Sequence, residues 1–162
     1  VSAADMDAAV MQHIPGCDVF ISVAAVADYR PQTAATQKIS KKAPAMTLAL
    51  ERNPDILAKV AAIPGGPFTV GFAAETESLQ EHARDKRIAK SVDMIAANLV
   101  GDGLGFDVDE NSLLVIWEGG ERLLPRVGKT RLARQLIELI ADRIEGKINQ
   151  GRVIELNAKD SA

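Results

Sequence analysis

The sequence predicts an α/β domain with a mainly parallel sheet, helices on both faces and a hairpin near its C-terminal end. Two continuous apolar runs, residues 19–23 and 68–73, are typical of strands that are buried on both faces. Segments with helical signals alternate with these runs, and such alternation favours parallel strand pairing. Apolar stretches on either side of a glycine turn at 118–121 predict the hairpin.

The composition fits a single domain spanning residues 1–162. Of its 162 residues 47% are hydrophobic and 25% are charged, which is sufficient for one core. A formal net charge of −3 argues against broad binding to nucleic acid or to an anionic membrane. The single cysteine, Cys17, excludes an internal disulfide and a cysteine-rich zinc site. His13 and His82 have no metal-ligand companions and are interpreted as surface helix residues.

The N-terminal end has neither a signal peptide nor an initiating methionine, so we expect a cytoplasmic chain that is part of something longer. A doubly wound sheet normally opens with a strand and a glycine-rich turn. Neither precedes the first predicted helix. We therefore expect that the first strand and this turn are missing, or that the fold is a smaller one.

The first helix is predicted by Ser2 and Asp5, which have the spacing of a capping box. It should run to about residue 12 and end at 14–16. After the first strand, residues 31–36 are too small and polar for regular structure.

The next segments predict a strand at 46–50 and a second helix. Asn53 is a good N-cap and Pro54 suits the first helical position, so this helix should run to about Ala62. The proline- and glycine-rich residues 63–67 then end it and lead into the strand at 68–73.

The second half of the chain predicts a helix capped by Ser78, a strand at 93–98, the hairpin over 112–124 and a last helix over about 129–145. An apolar stripe marks the last helix, and Gly146 is expected to end it. Residues from Lys147 onward are expected to form a short segment or a frayed tail.

Charged residues follow the first strand and suggest a binding site there, because ligands of open parallel sheets bind beyond the carboxyl ends of the strands. Asp28 can bind a ribose hydroxyl, a base amine or a metal ion, or it can simply cap a turn. Lys38, Lys41 and Lys42 lie among small residues, which suits either a lid over phosphates or a solvated loop.

Further candidates lie on the helices. Asn53 and Asp55 either start a helix or, with its free N–H groups, meet a ligand. Lys86 and Lys90 are four residues apart and lie one above the other on a helix face. They either bind phosphates or belong to an exposed helix end, where their charge complements the helix dipole. Glu75 is either catalytic or a capping carboxylate. No Ser/His/Asp or Cys/His nucleophile set can be assembled.

In combination, these motifs closely resemble bacterial phosphopantothenoylcysteine synthetase, usually the C-terminal half of the bifunctional coenzyme A biosynthesis protein. The resemblance extends from about Cys17 to Ile144. The segments that carry it are Ala24-Ala25-Val26-Ala27-Asp28-Tyr29-Arg30-Pro31, Lys38-Ile39, Asn53-Pro54-Asp55-Ile56, Gly71-Phe72-Ala73-Ala74-Glu75-Thr76 and Lys86-Arg87-Ile88-Ala89-Lys90.

The resemblance implies a Rossmann-like homodimer, fused in the full protein to a flavin-dependent decarboxylase half. It implies a ligase that joins 4′-phosphopantothenate to cysteine with CTP and Mg²⁺ through an acyl-cytidylate. It assigns a catalytic role to Lys38, on a flap. The CTP-binding residues that it implies are Ala24, Ala25, Asp28, Lys38, Asn53, Pro54, Asp55, Ile56, Phe72, Lys86 and Lys90.

Two departures from the family pattern affect these expectations. The flap of the family reads Lys-x-Lys-Lys, but here Ser40 occupies the third place, which leaves the roles of Lys41 and Lys42 open. The family's first strand and its Ser-Ser-Gly segment would lie upstream of Val1. The chain is therefore expected to be a fragment, and its activity alone is in question.

Two alternative functions remain at this point. A dimerisation or regulatory module could keep the fold without the chemistry. A nicotinamide-dependent α/β oxidoreductase would need a Gly-x-Gly-x-x-Gly turn opening a helix, and the sequence has none.

Overall fold

The computed structural model describes residues 2–33, 37, 45–100 and 109–159, with side chains described as far as Lys147. Within these residues the helices are α1 (Ala3–His13), α2 (Ile56–Ala61), α3 (Leu79–Lys90) and α4 (Lys129–Lys159). The strands are β1 (Val19–Ser22), β2 (Tyr29–Pro31), β3 (Leu50–Arg52), β4 (Phe68–Glu75), β5 (Met94–Leu99), β6 (Glu110–Trp117) and β7 (Gly120–Gly128).

The main sheet has five strands in the order β1-β4-β5-β6-β7. Strand β4 pairs in parallel with β1 and β5, whereas β6 and β7 form the expected hairpin and make the sheet mixed. The α/β fold class is confirmed. The capping box of α1 is also confirmed, since Ser2 and Asp5 exchange bonds of 2.8 and 3.2 Å.

Helices cover both faces of this sheet, as predicted. On one face Leu132, Leu136 and Ile140 of α4 pack with buried strand residues such as Val70 and Met94. The other face is covered by α2 and α3, and its core includes Leu57, Ala73, Ala83, Ile95 and Ile116. Side chains of β4 and β5 thus alternate between two cores.

The prediction that the first strand is buried on both faces is wrong. All four residues of β1 are partly exposed, and Val23 lies beyond the strand with 64% of its surface exposed. The cause is its position, because β1 is an edge strand that pairs only with β4 among the described residues.

The strand predicted at 46–50 is also misplaced. Residues 45–49 have no regular structure, and β3 instead covers Leu50–Arg52 in a separate two-stranded sheet with β2. Arg30 of β2 fixes this register through an ion pair with Glu51 at 2.8 Å. The apolar residues before β3 bury little surface, as Met46 is 65% exposed.

Helix α2 begins two residues later than predicted, because Asp55 is its N-cap. The Asp55 carboxylate accepts a 3.1 Å bond from the N–H of Ala58. Asn53 is not available for this role, since its side-chain oxygen accepts from Arg30 at 3.1 Å while its amide donates to the carbonyl of Ala27 at 2.7 Å.

Helix α3 begins after Ser78, as predicted, but the Ser78 side chain makes no capping bond. Its backbone is left-handed, with φ 48°, instead of the extended conformation that directs an N-cap hydroxyl to the helix. Ser91, at the other end of α3, is also left-handed, with φ 54°. Glu75 lies in β4 and does not cap this helix.

The prediction that Gly146 ends the last helix is wrong, because α4 continues to Lys159. Glycine stops a helix where it takes up a positive φ, as it does at other helix ends. Gly146 is not among the positive-φ glycines of the described chain, so it costs helix propensity without turning the backbone. Nowhere in the residues placed by the structure is a helix both long and apolar enough to cross a membrane.

Asp93 joins the start of β5 to the interior of β4. Its Oδ2 accepts bonds from the N–H and the hydroxyl of Thr69 at 2.8 and 3.0 Å. Its own N–H donates to the Thr69 hydroxyl at 3.1 Å, and Lys147 contacts Oδ1 at 2.5 Å. Thr69 is 1% exposed, so water cannot replace these bonds.

We predict that Asp93→Ala lowers the free energy of unfolding by about 2 kcal/mol, because it leaves the buried Thr69 N–H without an acceptor. Urea denaturation monitored by circular dichroism measures the change. Asp142→Ala removes an exposed carboxylate from α4 and should alter stability by less than about 0.5 kcal/mol. Equal effects of the two substitutions would contradict the prediction.

Candidate functional site

The candidate site lies where β1 and β4 end. Beyond β1 the chain passes through a loop of small residues in which Ala24, Ala25 and Asp28 are all exposed. Methyl groups leave the backbone of this loop open to a flat ligand. The loop is followed by β2, so Asp28 lies immediately before the two-stranded sheet.

Asn53 connects this loop to the start of α2. Its backbone N–H donates to the carbonyl of Asp28 at 2.8 Å, and its side-chain amide donates to Ala27. Its side-chain oxygen accepts a 3.1 Å bond from Arg30. The predicted residues 24–28 and 53–56 are therefore brought together, and Asn53 is the connection between them.

Asp55 and Lys90 form an ion pair that joins α2 to α3. Burial raises the pKa of Asp55, but the hydrogen bond from Lys90, the bond from the Ala58 N–H and the ammonium charge outweigh it. The pKa of Asp55 is consequently held below its ordinary value of 3.8. The structure thus places two predicted CTP-binding residues in direct contact.

Glu75 holds the second predicted lysine. Its side chain is 10% exposed, and its Oε1 lies 2.6 Å from the ammonium of Lys86. That contact is an ion pair without hydrogen-bond alignment, so Oε1 keeps unused accepting capacity. The second oxygen lies 3.3 Å from Nδ1 of His82. Glu75 is the most buried carboxylate of the site.

Other predicted residues are less accessible or lie elsewhere. Ile56 is 5% exposed and packs in the core, so a ligand could reach it only through its backbone. Pro54 is half-buried beside it. Phe72 packs with the α4 core, on the face of the sheet opposite Lys86 and Lys90. A single ligand could contact both Phe72 and the two lysines only by reaching across the end of the sheet.

Lys38, Lys41 and Lys42 lie outside the described residues. Their predicted roles remain predictions.

Sequence reasoning missed two participants. His82 is a surface residue of α3, as predicted, but its contact with Glu75 was not foreseen. Its spacing of four from Lys86 was a signal that could have revealed this contact. Arg30 was noted only as part of a motif. It binds both Glu51 and Asn53 across 21 and 23 residues of sequence, which no local pattern reveals.

The arrangement can bind a phosphorylated ligand by neutralising its charge. Two lysines of α3 are held by carboxylates on different elements, Asp55 at the start of α2 and Glu75 at the end of β4. Asn53, two residues before Asp55, is bonded to the exposed loop that follows β1. An ammonium has three donors, so each lysine can keep its carboxylate partner and still donate to a phosphate oxygen. Fold and site together define a Rossmann-like α/β domain in which two lysine–carboxylate pairs connect α3 to α2 and to the end of β4.

The family is shown by sequence comparison. Residues 1–144 match the model of the DNA/pantothenate metabolism flavoprotein C-terminal domain, and the chain belongs to that family.

Individual relatives agree with this assignment. The chain is 46% identical to the coenzyme A biosynthesis bifunctional protein CoaBC of Vibrio cholerae over 147 residues, and this match covers 88% of the chain. It is 42% identical over 152 residues to CoaBC of Escherichia coli K12, which covers 91%. In both cases the match spans 37% of the relative's own length.

A solved structure shows the same fold. The crystal structure of the C-terminal domain of CoaBC superposes with a TM-score of 0.71 at 34% identity, over 90% of this chain and 64% of that one.

The Asp55–Lys90 pair gives a pH-dependent stability. Because the folded-state pKa of Asp55 is lowered, its charge stabilises the protein above about pH 3.8, and this contribution is lost as pH falls through the folded value. We predict that Asp55→Asn, which keeps an N-cap oxygen, lowers the free energy of unfolding at pH 7. The loss should be up to about 1 kcal/mol, since the Asp55 side chain is 47% exposed.

Urea denaturation at a series of pH values measures this difference, which should approach zero near pH 2. The exposed Asp85→Asn is the control, and its effect should not follow this pH profile. A difference for Asp55→Asn that persists unchanged below pH 3 would contradict the assignment.

Proposed function

We propose that the chain is the ligase portion of a phosphopantothenoylcysteine synthetase, which joins 4′-phosphopantothenate to cysteine with CTP. The observation that carries the proposal is the connection of the alanine loop, the start of α2 and the α3 lysines through Asn53 and Asp55. The names of the relatives support it, as both are bifunctional proteins of coenzyme A biosynthesis. A flavin-dependent decarboxylase half and a cytoplasmic location are part of the proposal.

In the proposed reaction the substrate carboxylate attacks the α-phosphorus of CTP, and pyrophosphate leaves. The cysteine amine then attacks the acyl-cytidylate carbonyl, forms the amide and releases CMP. Such transfer depends on alignment and on neutralising charge that develops on phosphate oxygens. Lys86 and Lys90 supply positive charge, and their carboxylate partners keep the ammonium groups in position. No nucleophilic side chain is needed.

Mg²⁺ fits this site as an ion that arrives with the nucleotide. The described residues contain no group of three or more His, Cys, Asp or Glu side chains that could hold a metal ion. The two carboxylates of the site, Asp55 and Glu75, already contact lysines. Mg²⁺ is commonly held by substrate phosphates with only one or two carboxylates, and there it would neutralise phosphate charge.

Lys38 is the proposed catalytic residue and provides the test of the function. If its charge acts mainly in the transition state, Lys38→Gln should slow acyl-cytidylate formation roughly 100-fold and change folding stability by less than about 0.5 kcal/mol. Single-turnover kinetics with CTP and 4′-phosphopantothenate measure the rate, in a polypeptide that joins this chain to the expected upstream segment.

Lys129→Gln, which alters an exposed lysine at the start of α4, should react at the parent rate. A parent rate for Lys38→Gln would remove Lys38 from catalysis. The absence of any acyl-cytidylate in the parent would overturn the proposed function and favour a module without chemistry.

We also propose that the protein is a homodimer that associates through the β2–β3 ribbon, which comprises β2, β3 and the preceding residues 45–49. Four large apolar side chains are exposed there: Tyr29 50%, Met46 65%, Leu48 51% and Leu50 54%. Exposed apolar side chains of this kind, on a small sheet and on the segment that leads into it, are characteristic of an association surface.

Leu48→Asp should weaken the dimer at least about 10-fold, since burial of a leucine side chain contributes about 1.5–3 kcal/mol. Sedimentation equilibrium measures the dissociation constant. Leu123→Asp alters a residue of β7 that is 66% exposed and should leave association unchanged. A monomeric parent at all concentrations would contradict the proposal.

A further inference from the structure

A cavity of about 540 Å³ opens between α3, α4 and the β6–β7 turn. Its volume is within the range of sites that hold small organic ligands. Its walls include Phe68, Arg87, Trp117, Arg143, Gly146 and Lys147.

The cavity is separate from the candidate site described above. Phe68 begins β4 and lines the cavity, whereas Glu75 ends the same strand in the candidate site. Seven residues of strand place these positions about 23 Å apart. The cavity and Glu75 therefore lie at opposite ends of β4. Lys90 of the candidate site lies between the lining residues Ile88 and Ser91 in sequence, but it is not part of the lining and pairs with Asp55. The role of the cavity does not depend on the proposed ligase function.

Positive charge dominates the cavity lining. Three cations, Arg87, Arg143 and Lys147, face two carboxylates, Asp93 and Glu118. Asp93 is already engaged by Thr69 and by Lys147. Glu118 lies on the exposed turn between β6 and β7. The two arginines are thus left without a matching negative charge inside the cavity.

Both guanidinium groups have unused donors. Nε of Arg87 and Nε of Arg143 are buried and have no hydrogen-bond partner. Arg87 donates from Nη1 to the carbonyl of Val92 at 3.2 Å, and among the described side chains neither arginine contacts a carboxylate. The Nε groups are covered by protein, so an anion in the cavity would accept its hydrogen bonds from the Nη groups, and the positive charge of the two guanidinium groups would stabilise it.

The rest of the wall is apolar and leaves room. The Arg143 guanidinium lies 4.9 Å from the centre of the Trp117 ring, which holds it against the wall. Phe68, Ile88 and Val92 complete the apolar part of the lining. At Gly146 an added Cβ would meet nothing within 4 Å, so the missing side chain keeps this side of the cavity open.

We propose that this cavity binds a small organic anion with a carboxylate or phosphate end and an apolar body. The unpaired guanidinium donors of Arg87 and Arg143 bind the charged end as planar forks. The aromatic wall packs against the body. Gly146, which lies within α4 and does not end it, leaves open the space that the ligand would occupy.

Trp117 provides the measurement, since it is the one tryptophan in the sequence and lines the cavity. The probes are hexyl phosphate and hexanoate, with hexanol as their uncharged counterpart and inorganic phosphate as the charge alone. Both anionic probes should shift the tryptophan emission saturably. Hexanol and inorganic phosphate should each bind at least about 10-fold more weakly, because hexanol lacks the charged end and inorganic phosphate lacks the apolar body.

Two variants separate the cavity from the general surface. Arg143→Gln should weaken hexyl phosphate binding at least about 10-fold, as expected for a lost charged hydrogen bond. Arg134→Gln, which changes an exposed arginine on the same helix, should bind like the parent. Gly146→Leu fills the cavity and improves helix propensity, so it should abolish binding without loss of thermal stability.

Three results would overturn the proposal. The first is an emission that does not saturate with either anionic probe. The second is equal binding of hexanol and hexyl phosphate, which would indicate apolar adsorption only. The third is equal weakening by Arg134→Gln and Arg143→Gln, which would indicate a general charge effect.

Discussion

The position of β4 between two cores is the constraint on which the rest of the structure depends. Its first residues are buried on both faces, and each neighbouring strand takes its register from it. The constraint is tightest at Gly71, where an added Cβ would lie 2.6 Å from Leu57 and 2.8 Å from Ile95. Helix α2 therefore lies close to the sheet, and this closeness sets where Asp55 meets α3.

Much of the fold could be predicted because residues that are close in sequence specify it. The capping box at Ser2, the apolar run that becomes β4 and the glycine turn of the hairpin are all specified by neighbours in sequence. The predicted binding loop and the start of α2 also come together, through Asn53. The first three features required only periodicity and turn chemistry, whereas the meeting of the loop with α2 followed from the expectation that both contact one ligand.

The failures share a different cause, which is contact with residues distant in sequence. Asn53 has the sequence position of an N-cap, but its side-chain amide donates to the carbonyl of Ala27, and Asp55 caps the helix instead. The apolar sequence of β1 is typical of a central strand. Among the described residues, however, β1 pairs on one side only, and its residues are therefore partly exposed. Gly146 is typical of a helix C-terminus, yet helix packing decides whether the backbone turns there. The Glu75 contacts with His82 and Lys86 likewise depend on how α3 lies on the sheet.

The two left-handed serines that flank α3 suggest where the protein could be improved without disturbing its site. A non-glycine residue in that conformation costs about 1 kcal/mol or more, and Ser78 and Ser91 both adopt it. Tertiary packing therefore holds α3 in place against the local preference of its ends. Asparagine or glycine at these two positions would reduce that conformational cost and leave every lysine of the helix unchanged. Thermostability engineering of this domain would begin at the ends of α3.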